Sequence, residues 1–266
     1  MSDARTLLAA ADLDGALKAL QAEVRSRPSD ARLRVFLFQL QAVRGEWGKA
    51  LDQLNVCGEL DASTLAMVNT YRPALQCEGL REAVFAGRTL PHVFGPPADW
   101  VAWMAQALRH DADGQHEQAA ALRSQALEQA PASPGTLDGK AFEWIADADS
   151  RLGPVLEVVI NGRYGWLPFM HLAALKVEPV ADLRDLVWAA AHLTFTNGGD
   201  TVALLPVRYA GTVAAGRDPL LLLSRKTEWV EAPGGQYHGL GQRTISTDAD
   251  ELGLLELRDL SLAAPG

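Results

Sequence analysis

Cysteine is scarce in this chain: its 266 residues hold two, Cys57 and Cys77, with no close pairing and no neighbouring histidine. That excludes a disulfide framework and a thiolate zinc site, and leaves the pair to be buried as small apolar residues. Long hydrophobic runs are missing too. The longest, such as Leu220–Leu223 in DPLLLLSRK, fall far short of the roughly 20 residues that cross a bilayer, so no membrane insertion is expected. The amino terminus, MSDARTLLAAADLDGALKAL, carries acids and helical spacing where a signal peptide needs a basic start and an unbroken apolar stretch. The expectation is a cytoplasmic protein. Basic excess is absent: the formal charge is −9, against the concentrated positive face that nucleic acid requires. Protein partners are expected, and no nucleic acid.

Catalytic signatures are equally sparse. There is no Walker loop, no Gly-x-Ser-x-Gly elbow and no HExxH. GLGQRT, Gly239–Thr244, lacks the third glycine and the strand–turn–helix setting of a dinucleotide loop, and reads as a turn. His92, His110, His116, His171, His192 and His238 offer no two at metal spacing on a helix face. No metal, cofactor or catalytic residue is assigned.

What is present is 48% hydrophobic residues, enough for a sizeable core, and an internal repeat. ADLDGALKALQAEVRSRP opens at Ala11 and GEWGKALDQLNVCGELDA opens at Gly45, 34 residues apart. That is the period of the tetratricopeptide helix pair. A third copy, GQHEQAAALRSQALEQAP, opens at Gly114 and closes at Pro131. Between them Asp61–Gly87 has helical composition, with Asp61 or Ser63 as N-cap, Gly87 as stop and Pro73 at a helix start or kink. The loop GRTLPHVFGPPADW then breaks the array and is expected to pack over it. Stacked pairs form a curved solenoid whose inner face holds a peptide. By the repeat's spacing Arg32, Val35 and Gln39, then Val101, Met104 and Leu108, point into that groove or pack against the second half.

After APASPGTLDG the pattern changes to short apolar runs with turn signals. VLEVVI, Asn161-Gly162 and RYGWLPF make one hairpin; LVWAAAHLTFT, NGGD and TVALLPVRY make another. LAALKVEP, KTEWVE and LGLLELRDL read as further strands, and DPLLLLSR as a short helix or strand. The fold class is α+β: tetratricopeptide-like helical repeats over residues 1–135, then a mostly antiparallel β domain over 136–266. Trp144, Tyr164, Trp166, Trp188 and Trp229 fall in or beside these strands and are expected in the core.

FEWIADADSRLGP joins the halves and gathers Glu143, Asp147 and Asp149 around Trp144 and Arg151. One reading is a magnesium-type carboxylate site of a metal-dependent hydrolase. The other, preferred because no further ligand cluster follows, is an interdomain junction in which an aspartate pairs with Arg151.

The order of RVFLFQLQAVRGEWGKALDQL, FEWIADADSRLGPVLEVVINGRYGWLPF, DLRDLVWAAAHLTFTNGG, LLPVRY, RKTEW and GLGQR closely resembles the ImpE/SciE/TagJ family over nearly the whole chain. The resemblance implies a type VI secretion accessory protein, an adaptor and not an enzyme. It also implies partners: the amino-terminal helix of a TssB-like small sheath subunit, and a ClpV-type AAA+ ATPase whose recruitment and sheath turnover it modulates. It brings no catalytic residue. A general repeat scaffold or co-chaperone is the competing reading.

Overall fold

The computed structural model describes residues 3–216 and 218–263. The small residue that opens each repeat copy sits where the backbone turns left-handed. Ala11, Gly45 and Gly114 have φ of 62°, 71° and 74°, conformations that glycine adopts at little cost. Ala11 joins α1 (Ala4–Ala9) to α2 (Leu13–Ser26), and Gly45 joins α3 (Ala31–Val43) to α4 (Trp47–Leu60). After α5 (Leu65–Phe85), Gly114 joins α6 (Asp99–Ala112) to α7 (His116–Gln129). Asp3, Asp12 and Asp30 cap the first three helices by accepting first-turn backbone N–H groups.

Pro73 lies inside α5, neither at its start nor at a break between two helices. The carbonyl it leaves unpaired belongs to the exposed Asn69, where water can satisfy it. Pro73 also packs against the hairpin turn: a Cβ on Gly162 would lie 2.9 Å from its Cβ. Gly87 stops α5 as expected, with its N–H on the Val84 carbonyl and that of Arg88 on Ala83. Val93 and Ala98 of the following loop pack against the core that the helices share, and the loop also joins the sheet. Its β1 (His92–Val93) adds a parallel edge to the sheet through β6.

Strands run almost unbroken from β2 (Gly135–Leu137), β3 (Lys140–Phe142) and β4 (Ile145–Asp147). They continue as β5 (Val155–Ile160), β6 (Arg163–Pro168), β7 (Leu172–Val177), β8 (Trp188–Phe195) and β9 (Asp200–Pro206). After the short α8 (Pro219–Leu222) come β10 (Thr227–Ala232), β11 (Gln236–Gly241), β12 (Thr244–Thr247), β13 (Glu251–Gly253) and β14 (Asp259–Leu262). Nine of them form one sheet in the order β1-β6-β5-β9-β8-β7-β14-β2-β3, antiparallel except at β1. A second sheet is β13-β12-β4, and β10-β11 is a separate ribbon.

Both expected hairpins are present, Asn161 and Gly162 having φ of 50° and 74°. Three boundaries differ. Gly135–Phe142, read as linker and transition, already makes a hairpin of the large sheet, because Asp138-Gly139 supplies positive φ at its turn. GLGQRT is not a free turn: Gly239–Gly241 ends β11 and Thr244 opens β12. LGLLELRDL breaks into β13 and β14 around a turn that buries Leu254 and Leu257.

The central strands of the large sheet, β5 and β6, are covered on both faces. One side of β5, with Val155 and Val159, shares a core with α5, Trp166 and Trp188. The other, with Leu156 and Val158, packs under the three-stranded sheet against Ile145, Ile245 and Leu254. That double burial is why VLEVVI is apolar throughout except for one residue, Glu157.

Candidate functional site

Glu157 is wholly buried and faces the helices. α5 answers it: Arg81 donates from Nε to Oε1 at 2.7 Å and from Nη2 to Oε2 at 2.8 Å. The Tyr164 hydroxyl donates to Oε1 at 2.6 Å, and Trp166 Nε1 donates to that hydroxyl at 3.2 Å. Arg243 stands 3.7 Å from Glu157 Oε2 and donates from Nε to Asp147 Oδ2 at 2.8 Å. Glu78, one turn before Arg81, accepts from Trp188 Nε1 at 2.8 Å. Arg208 donates to the Leu222 carbonyl at 2.9 Å and to the last-turn carbonyls of α3 at Ala42 and Val43. A cation is favoured there by the helix dipole.

FEWIADADSR supplies the far end. Asp149 accepts from Arg151 Nε at 2.9 Å, from Arg151 Nη2 at 2.6 Å and from the Gly239 N–H at 2.8 Å. Asp147 accepts from the Asp149 N–H at 2.9 Å. The Arg151 guanidinium lies 5.1 Å from the Phe85 ring centre, with that of Arg81 at 5.7 Å. Asp147 and Asp149 thus hold β4 and the turn after it to β11 and Arg243, and only Arg151 reaches a helix, over the Phe85 ring of α5. Glu143 does not join them: it is exposed, and its N–H donates to Asp248 at 2.7 Å. Trp144 is exposed as well, 42%, as is Trp229 at 39%, contrary to the expectation of a core role for both. Trp229 sits on an outward-facing position of β10, and Trp144 in the link between β3 and β4.

Electrostatics follow the geometry. Burial pushes the Glu157 carboxyl up, but Arg81 more than offsets this and the net direction is down. Asp149 is likewise held low, burial being outweighed by Arg151. Asp147 goes the other way: burial and the nearby Asp149 charge win over Arg243 and push it up to about 6. Burial with no carboxylate in direct contact lowers Arg208 to about 10. Asp147, Asp149 and Glu157 are each held by a guanidinium group, whereas Glu78, whose carboxyl burial pushes up, has Arg81 only at 3.6 Å and lines the cleft described next. Among the described residues no group of three His, Cys, Asp or Glu is placed to hold a metal ion.

Above this network lies a cleft of about 410 Å³ between α4–α5 and residues 208–214, walled by Trp47, Phe85, Val187, Tyr209 and Val213. Val213 lies so close to the α3–α4 turn that a Cβ on Gly45 would fall 2.5 Å from it.

The six residues assigned to a groove separate. Gln39, Val101, Met104 and Leu108 are buried, Met104 completely, because the chain's own core covers the inner face. They are not open to a partner. Arg32 is exposed and Val35 half-buried. Arg32, Leu33 and Phe36 line a concavity of about 300 Å³ with Asp3, Ala4, Arg5 and Glu23. Sequence reasoning missed Glu78, Arg81, Glu157, Arg208 and Arg243. The signal lay in Glu157, a lone charge in an otherwise apolar strand.

The sequence model of the ImpE protein family matches residues 139–261. The type VI secretion system accessory component TagJ of Pseudomonas aeruginosa is 58% identical over 259 residues, which is 97% of this chain and 90% of the relative. A crystal structure of a Vibrio parahaemolyticus protein, 21% identical, superposes with a TM-score of 0.89 over 98% of this chain and 97% of that one, and carries the same fold. With 58% identity over 97% of its length to that component, the chain belongs to the ImpE/SciE/TagJ family of type VI secretion accessory proteins.

Proposed function

We propose that this protein is a cytoplasmic adaptor that binds the amino-terminal helix of a TssB-like small sheath subunit and modulates recruitment of a ClpV-type AAA+ ATPase to the sheath. The observation that carries the reading is 58% identity over 97% of the chain to a type VI accessory component. Two physical features support it. The helical half retains an accessible part of its inner face, Arg32, Leu33, Val35 and Phe36, beside the concavity under α1. An amphipathic helix presents apolar side chains at the spacing such a face accepts. Second, the buried ion network fixes the angle between helices and sheet, so that a partner meets a preorganised surface.

Calorimetric titration with a peptide of the cognate sheath subunit's amino-terminal helix tests this. Saturable binding with a negative heat-capacity change is expected, weakened at least tenfold by Arg32→Glu combined with Phe36→Asp. Absence of binding to the folded wild-type protein overturns the reading.

A further inference from the structure

The outer face of the small sheet carries a second surface of different chemistry. Strand alternation puts Ile145 and Ile245 inward, fully buried, and turns Ala146 and its register partner Ser246 outward, with Glu251 beside them on β13. On the neighbouring ribbon Trp229 pairs with Gly239 and Tyr237 pairs with Glu231, so Trp229, Tyr237 and Glu231 share one face. That ribbon is pinned beside β4, the Ser150 N–H donating to the Tyr237 carbonyl and the Tyr237 N–H to Ser150 Oγ, each at 3.0 Å. The result is an open trough of about 500 Å³ with a floor of Ala146, Ala148 and Ser246 and walls of Trp144, Trp229 and Tyr237. The three aromatics are 42%, 39% and 49% exposed.

Aromatic rings are enriched where one protein anchors another, and this many together on an open face is unusual for a surface that stays wet. The charge around them says what fits. Glu251 lines the trough, while Glu231 shares the ribbon face and Glu143 adjoins Trp144. None of the three has a basic partner among the described residues, and no lysine or arginine lines the trough. Ring faces and unpaired carboxylates together attract ammonium and guanidinium groups whose aliphatic stems lie on the rings.

We propose that this trough is a docking surface for a protein segment that carries lysine or arginine among aliphatic residues. It lies on the β half, apart from the α1–α3 face, and it stands whether or not the sheath helix binds there. A segment of a dozen residues is long enough to cross the small sheet and the ribbon.

The test uses the full chain, ¹⁵N-labelled, and a synthetic twelve-residue peptide of alternating leucine and lysine, with a leucine–glutamate peptide as control. Indole N–H signals assigned by Trp144→Phe and Trp229→Phe report directly on the walls. The lysine peptide is expected to shift the Trp144 and Trp229 signals and leave those of the buried Trp166 and Trp188 in place. Affinity should fall at least tenfold in Trp144→Ala/Trp229→Ala. It should fall comparably in Glu231→Lys/Glu251→Lys, which keeps every ring and guards against misfolding of the first variant. Equal binding by both variants, equal response to the glutamate peptide, or shifts confined to other signals would overturn the proposal. So would concentration-dependent dimerisation abolished by Trp144→Ala, since the trough would then be a contact between two copies of this chain.

Discussion

Along Trp144–Asp149 the odd-numbered side chains, Ile145, Asp147 and Asp149, turn into the protein, while Trp144, Ala146 and Ala148 turn out onto the trough. The two faces of one short stretch obey opposite rules. Inward, carboxylates are desolvated and each meets a guanidinium, so charge is saturated and geometry is fixed. Outward, rings stay half wet and the nearby carboxylates have no cation among the described residues. The inner face therefore serves the fold, and the outer one has interaction capacity to spare. Substitutions that separate stability from binding should divide along this alternation.

The largest effect belongs to the network between α5 and β5. Arg81→Ala leaves Glu157 buried with only Tyr164 and the more distant Arg243, and its loss is expected to cost about 3–5 kcal/mol of folding free energy in urea titration. Replacing both partners, Arg81→Met with Glu157→Leu, should recover the part that comes from the orphaned Glu157 charge, while the Arg208 carbonyl and Glu78 remain without Arg81. If the double variant is as unstable as the single one, the pair is needed for more than mutual neutralisation.

Next in size is the pH dependence of Asp147. Its carboxyl, pushed up to about 6 chiefly by burial, keeps its proton in the folded state over a range where the unfolded chain, with its ordinary value of 3.8, has lost it. Stability from that proton is complete below the unfolded value and is lost as pH rises through about 6. Asp149 and Glu157, held low by Arg151 and Arg81 against burial, run the other way and lose their contribution as pH falls through their folded values. Asp147→Asn removes only the first effect. Its cost should shrink between pH 4 and 7.5 by on the order of 2–3 kcal/mol, two pKa units of differential binding. A cost that grows with pH would mean that attraction to Arg243 outweighs desolvation.

Legibility in the sequence followed range. Turn and repeat signals are local, and they located the helix pairs at Ala11, Gly45 and Gly114 and the hairpins at Asn161 and Asn197. The pairing of Asp149 with Arg151, two residues apart, was within reach for the same reason. Arg81 and Glu157 are 76 residues apart, and nothing local says that they meet. The choice left open for the inner-face residues, groove or packing against the second half, was open for a related reason: spacing gives the side of a helix, but what covers that side is tertiary. Gly153, past the linker, returns so close that a Cβ on it would lie 3.5 Å from the Met104 methyl carbon. Trp144 and Trp229 were assigned to the core on composition, which cannot tell which face of a two-sided strand is covered.

The smallest stability effect, and the sharpest contrast, is at the outer face. Trp144→Ala removes a large ring that is 42% exposed, and should cost under about 1 kcal/mol. Trp188→Ala removes one that is fully buried, donates to Glu78 and stacks near Trp47 and Tyr71, and should cost about 3–5 kcal/mol. Urea titration of the two variants side by side measures the difference. A cost at Trp144 close to that at Trp188 would place it in the protein's own packing, and the division between an inner face that holds the fold and an outer face free for a partner would fail at its most exposed residue.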